Sequence, residues 1–140
     1  RRRARWESPA ALFARLHARH PFSRWEPAAL HAYCDHGLLP APDGDGLLLA
    51  CPPAVEADIY QGNTAHPIYD AIATLQLPVV VVRGHPYQVN PAEDLAASPT
   101  APDLAAAFAR GRDIHLVDHT HFIPMEDSAL VARLIAELAG

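Results

Sequence analysis

The segment 121–127 reads His-Phe-Ile-Pro-Met-Glu-Asp and contains the histidine best placed for chemistry. It comes directly after the last predicted strand and before the last predicted helix. An imidazole can accept and return a proton near neutral pH. On a loop beyond a strand it can reach a hydroxyl group that lies on another turn. The pattern therefore indicates a general base at His121, although a hydrogen-bonded loop histidine without chemistry would give the same local sequence.

Three histidines close together, His115, His119 and His121, raise the alternative of a metal site. A zinc site needs three or four ligands that converge within about 2.1 Å of one point. No spaced cysteine pair or second histidine pair supports such a site, and alternate residues of a strand face opposite sides. We therefore expect neither a metal nor another cofactor.

The elements that must position His121 begin at residue 77. The run over 77–82 contains four consecutive valines, which is typical of a central strand in a parallel sheet that is covered on both faces. The sequence then predicts a helix over 102–110, a second strand over 113–117 and a final helix that begins at an Asp127 cap. The spacing of the strands fits a right-handed βαβ unit.

The first half of the chain shows a different pattern, with helical segments that are interrupted by proline and glycine. The predicted elements are a helix over 12–20, a helix over 27–37, a short strand over 47–51 and a helix over 53–62. Aromatic residues are concentrated here, and they fit either core packing or an apolar roof over a substrate. The valine strand needs more neighbours than this chain offers, because two-stranded sheets are marginal alone. We expect polypeptide upstream of Arg1 to supply them.

These segments resemble a known family. Residues 77–84, 113–117 and 121–126, together with the closing helix, resemble the C-terminal part of α/β-hydrolase fold enzymes. Residues 21–25, Tyr33, residues 36–37 and residues 51–57 are similar to segments of the helical cap in a bacterial branch of that superfamily. The resemblance implies an α/β fold with a helical cap over 1–76 and a C-terminal core segment over 77–140. The nucleophile elbow Gly-x-Ser-x-Gly does not occur in the chain, so the nucleophile-bearing half is expected elsewhere.

The family pattern also implies a carboxylate that orients the histidine and lies between nucleophile and histidine in the chain. The position where this acid often stands is Tyr87, which has no carboxylate, and Thr120 replaces a common glycine. The acid is therefore sought at Glu93 or Asp94, of which Asp94 is preferred. Asp94 would accept the Nδ1–H of His121 and stabilise the imidazolium. A turn-capping role for Asp94 is equally favoured.

Composition limits the partners. The net charge of −5 disfavours nucleic acid, and no apolar run is long enough to span a membrane. Two cysteines do not form a disulfide framework, which favours the cytoplasm, and the abundance of Ala, Pro and Arg with no Lys indicates a bacterial source.

The resemblance implies a serine-type hydrolase with an ester or related small apolar molecule as substrate. The alternatives are a binding module of the same fold that has lost its triad, and a histidine-rich metal-binding protein.

Overall fold

A computed structural model describes residues 3–62, 68–87, 94 and 96–139. The fold is mixed α/β, and the chain divides into two compact units, Arg1–Ala65 and His66–Gly140. Each unit has its own sheet. The units are described separately below.

The first unit combines three helices with a small antiparallel sheet. Its elements are β1 (Arg5–Trp6), α1 (Pro9–Leu16), α2 (Pro27–His36), β2 (Leu38–Pro40), β3 (Leu47–Leu49) and α3 (Pro53–Gly62), with a 3₁₀ turn at Phe22–Arg24. The strand order is β1-β3-β2. The predicted helix over 27–37 and the strand over 47–51 are confirmed with slightly shorter bounds. The sequence did not indicate β1 or β2, because two- and three-residue strands have no detectable periodicity.

Local contacts explain where these elements begin. The Ser8 hydroxyl accepts a hydrogen bond from the Ala11 amide at 3.1 Å and caps α1, and Pro9 occupies the first turn. The Arg5 guanidinium, on β1, bonds both carboxylate oxygens of Asp43 at 3.0 and 2.6 Å. Arg5 thereby lowers the pKa of Asp43 to about 2. This pair ties β1 to the turn between β2 and β3.

Aromatic residues in the first unit pack in its core. Trp6 and Trp25 are buried. Phe22 and Tyr33 contact Trp25, with ring centroids 5.0 and 5.6 Å from it. Core packing therefore accounts for this group.

The second unit is built on one parallel strand pair. Its elements are α4 (Tyr69–Ala73), β4 (Val79–Arg83), β5 (Gly111–His115), α5 (Ile123–Glu126) and α6 (Ser128–Ala139), with a 3₁₀ turn at Leu104–Ala107. The register runs from Val79 opposite Gly111 to Arg83 opposite His115. The predicted parallel pairing and the final helix are confirmed. The Asp127 carboxylate accepts a hydrogen bond from the Leu130 amide at 2.8 Å, which is the predicted cap of α6.

Three predictions for this unit were wrong in detail. The helix over 102–110 is only a 3₁₀ turn at Leu104–Ala107, because the backbone becomes extended at Phe108, where ψ is 138°. The second strand begins and ends two residues earlier than predicted, at Gly111 and His115, and Arg83 pairs with Asp113 across the two strands. Finally, β4 is half-buried along its length rather than covered on both faces, since β5 is its one neighbour among the described strands.

Within the described part of the chain, no helix has the length and apolar character needed to cross a bilayer.

Candidate functional site

His121 lies on the loop between β5 and α5, where the sequence predicts it. Beyond β5, the chain continues alongside the end of β4. The Leu116 amide donates to the Arg83 carbonyl at 2.9 Å, and the His85 amide donates to the His119 carbonyl at 2.7 Å. The loop therefore starts from a fixed backbone position just before His121.

Gly84 allows this close approach between the two backbones. A β-carbon at residue 84 would lie 2.2 Å from the carbonyl oxygen of Thr120 and 2.8 Å from that of His119. Both contacts are with backbone atoms, so no side-chain rotation could relieve them. The glycine that ends the valine strand thus lets residues 119–120 pass directly over it.

A carboxylate holds the residue that precedes His121. Glu126 Oε2 accepts a hydrogen bond from the Thr120 amide at 3.0 Å, and Glu126 Oε1 accepts one from the Thr120 hydroxyl. The same hydroxyl accepts a hydrogen bond from the Phe122 amide at 3.2 Å. Thr120 is buried. The sequence pattern indicated no role for Glu126. The signal that could have indicated one is the spacing of six residues between a hydroxyl side chain and a glutamate on a short turn.

The His121 side chain is exposed. Its ring lies 5.6 Å from that of Phe122, at an interplanar angle of 60°. His121 also lines a cavity of about 360 Å³ in the second unit. Valines of β4, apolar residues of α6 and Ser98 form much of the remaining wall. The imidazole is therefore accessible, as a general base must be.

Asp94, the preferred orienting acid, is half-buried. Hydrogen bonds through Ala96 link it to the His121 loop. Its Oδ1 accepts a hydrogen bond from the Ala96 amide at 2.9 Å. The Ala96 carbonyl in turn accepts a hydrogen bond from the His121 amide at 2.7 Å. In the described structure, no hydrogen bond or ion pair joins the Asp94 carboxylate to the His121 ring. Oδ1 thus has the turn-capping contact, and Glu93, the other candidate, lies outside the described residues.

The segment after Asp94 is closely packed. Ala96, Ala97 and Ser98 are each at most 2% exposed. The Ser98 amide donates to the Pro86 carbonyl at 2.8 Å, which places this segment beside the end of β4. Tyr87 forms an isolated parallel bridge with Ser98 and is exposed.

A charged pair lies at the end of β4. Arg83 Nε and Nη2 bond Asp113 Oδ1 and Oδ2 at 2.8 and 2.9 Å. The hydrogen bonds from Arg83 lower the pKa of Asp113. This pair holds the two strands in register immediately before Gly84.

The other described histidines of this unit, His85, His115 and His119, do not converge on one point. The rings of His85 and His115 lie 5.7 Å apart. His119 Nε2 lies 3.9 Å from Asp127 Oδ2. Across the described ranges, no three His, Cys, Asp or Glu side chains are grouped so that they could hold a metal ion.

No protein-family model, curated protein or solved structure matches this chain.

The arrangement is that of a solvent-accessible imidazole on a loop that is anchored on both sides. It can accept a proton from a hydroxyl group brought to it and return that proton to a leaving group. Ser98 and Thr100 contribute hydroxyl groups to the wall of the same cavity, and the Ser98 hydroxyl makes no hydrogen bond in the described structure.

Proposed function

We propose that this chain is the histidine-bearing part of a serine-type α/β-hydrolase that acts on an ester or related small apolar substrate. The observation that carries the proposal is the position of His121. It is exposed on the loop that follows a parallel strand, and it is anchored through its own amide and through Thr120. In an α/β-hydrolase fold the catalytic histidine comes last in the chain order of the triad.

In the proposed reaction, His121 accepts the proton of a serine hydroxyl as the serine oxygen attacks the substrate carbonyl. The imidazolium then gives this proton to the departing alcohol, which leaves an acyl-enzyme. Water is activated in the same way and releases the acid. The serine and the backbone N–H groups that bind the oxyanion belong to other polypeptide, which we propose is the N-terminal half of the same enzyme. Asp94 is proposed as the orienting acid, and no cofactor takes part.

The proposed setting is the bacterial cytoplasm, with a small molecule rather than nucleic acid or a membrane as the partner. Cys34 and Cys51 are free thiols, which suits a reducing compartment. The net charge of −5 suits a neutral or apolar small molecule better than a polyphosphate.

The test is hydrolysis of p-nitrophenyl butyrate by the natural polypeptide that carries residues 1–140. We expect His121→Ala to lower kcat by about 10³-fold or more, on the scale seen for triad members. His36→Ala, which changes an exposed histidine on α2, is the matched control and should leave kcat unchanged. A loss of less than about tenfold, or roughly 1.4 kcal/mol, would show that His121 is not the base.

A second candidate function is a binding module that has the same fold without hydrolysis. It is favoured by one specific observation: Asp94 Oδ1 bonds the Ala96 amide, and no carboxylate of the described residues bonds the His121 ring. A fluorophosphonate probe separates the two candidates, because it labels an activated serine. Labelling that disappears in His121→Ala supports the hydrolase, and the absence of labelling in the natural polypeptide supports the binding module.

A further inference from the structure

Glu126 makes contacts that bracket His121 on both sides. One of its oxygens bonds the Thr120 amide at 3.0 Å and the other bonds the Thr120 hydroxyl. That hydroxyl also bonds the Phe122 amide at 3.2 Å. A single carboxylate therefore fixes the residue before His121 directly and the residue after it through one intermediate.

The neighbouring acid has a different task. Asp127 points its Oδ1 to the Leu130 amide and caps α6. Glu126, at the end of α5, instead turns back toward the loop from which α5 begins. Asp127 Oδ2 also lies 3.9 Å from His119 Nε2, two residues before His121, whereas the contacts of Glu126 reach the residues directly on either side of His121.

We propose that Glu126 is a positioning residue for His121, acting through Thr120; its effect on catalysis rests on the proposed function. Hydrogen bonds to a carboxylate are roughly twice as strong as those between neutral groups. Because Thr120 is buried, water cannot easily replace the carboxylate once it is removed. The backbone on which the imidazole stands would then lose two of its anchors, while the bond from the His121 amide to Ala96 would remain.

The magnitude follows from geometry. A displacement of a catalytic group by about 1 Å can lower the rate by about 10²-fold, even when binding is unchanged. Loss of Glu126 should therefore reduce kcat and leave KM nearly constant. A residue that contributed only to overall stability would instead lower the amount of folded protein and leave kcat per folded molecule unchanged.

The experiment uses the natural polypeptide that carries residues 1–140 and compares Glu126→Ala, Glu126→Gln and the matched control Glu137→Ala, an exposed glutamate on α6. Amide hydrogen exchange at Thr120 and Phe122 is the structural readout, with Ile114 in β5 as the internal reference. We expect Glu126→Ala to speed exchange at Thr120 and Phe122 by about tenfold or more, with little change at Ile114. Glu137→Ala should change neither.

The kinetic readout is hydrolysis of p-nitrophenyl butyrate. For Glu126→Ala we expect kcat to fall by about 10- to 100-fold with KM within about twofold. Glu126→Gln should fall between Glu126→Ala and the unsubstituted protein, because its amide oxygen can still accept the hydrogen bond from the Thr120 amide. If Glu126→Ala does not fold, Thr120→Val removes the hydroxyl bonds with little change in volume and should show smaller effects in the same directions.

Three results would overturn the proposal. The first is unchanged exchange at Thr120 in Glu126→Ala, and the second is exchange that rises equally at Ile114. The third is an unchanged kcat per folded molecule in Glu126→Ala when His121→Ala abolishes turnover. Failure of the hydrolase proposal is visible separately, since His121→Ala would then leave turnover intact while the exchange readout of Glu126→Ala still decides its structural role.

Discussion

The amide of His121 donates a 2.7 Å hydrogen bond to the carbonyl oxygen of Ala96. Ala96 also donates its own amide to Asp94 Oδ1, at 2.9 Å. The turn at Asp94 and the loop at His121 are thus linked through one residue, although their side chains make no direct bond. Asp94 can influence His121 either as a charge beside the ring or as a support for its backbone.

Substitution of Asp94 by asparagine separates these two roles, because the amide oxygen of Asn can still accept the bond from the Ala96 amide. If Asp94 orients the imidazole through its charge, Asp94→Asn should lower kcat by up to about 10⁴-fold. If Asp94 serves only the turn, Asp94→Asn should be nearly fully active, while Asp94→Ala destabilises the unit by about 1 kcal/mol. The measurements are p-nitrophenyl butyrate turnover and urea unfolding on the same samples.

Gly84 should tolerate no side chain. In Gly84→Ala the new β-carbon would meet backbone atoms of Thr120 and His119, so the loop before His121 must move. We expect a loss of about 2 to 3 kcal/mol in the free energy of unfolding, typical of overpacking against a rigid neighbour. Gly44→Ala is the contrast, since residue 44 has open space around it and strain only from its φ of +77°. Gly44→Ala should lower the free energy of unfolding by about 1 kcal/mol. An equal or smaller loss in Gly84→Ala would contradict the close backbone packing at Gly84.

The Arg83–Asp113 pair gives the second unit a defined acid response. Because the pKa of Asp113 is lowered in the folded state, its ionised form contributes stability above its ordinary pKa of about 3.9. This contribution is lost as the pH falls through the lowered folded-state pKa. Urea unfolding at several pH values between 7 and 2.5 should therefore show a smaller acid-induced loss for Asp113→Asn than for the unsubstituted protein. Asp103→Asn, at an exposed position, is the control and should keep the original pH dependence.

The edge of β4 that no described strand covers should make residues 1–140 self-associate when they are expressed alone. β4 is half-buried and pairs with one described strand, and Ile135 on α6 is 61% exposed. Unpaired strand edges and apolar patches favour association. Sedimentation velocity between 5 and 100 µM should show oligomers, and a monomer over this range would count against a missing sheet partner. Ile135→Lys should reduce association more than Ala136→Lys, which adds the same charge but removes only a methyl group.

The sequence predicted the elements that have strong local signals. Four consecutive valines predicted β4, and the Asp127 cap with its apolar stripe predicted α6. Both signals are local, since β-branched runs and capping residues act within one element. The parallel pairing of β4 and β5 could also be predicted, because the number of residues between the two strands fits a right-handed crossover connection.

Other features depended on contacts that a pattern cannot show. β5 was predicted two residues too late, because Gly111 and Arg112 give no local strand signal, and Arg83 bonds Asp113 from across the pair. The α-helix predicted over 102–110 is a 3₁₀ turn because the backbone becomes extended at Phe108, which the helical spacing of Leu104 and Phe108 did not indicate. At the site, the order of strand, loop and helix predicted the position of His121. The hydrogen bonds between Thr120 and Glu126 could be found only from the three-dimensional structure.

The first unit has a practical boundary that follows from β1. Arg5 and Trp6 pair with Leu48 and Leu47 and form one side of a three-stranded sheet. A truncation that began at Glu7 would leave one edge of β3 without its partner strand β1. It would also remove the buried indole of Trp6. Anyone who trims this protein for crystallography should therefore keep the chain from at least Arg3, whose guanidinium stacks 4.5 Å above that indole.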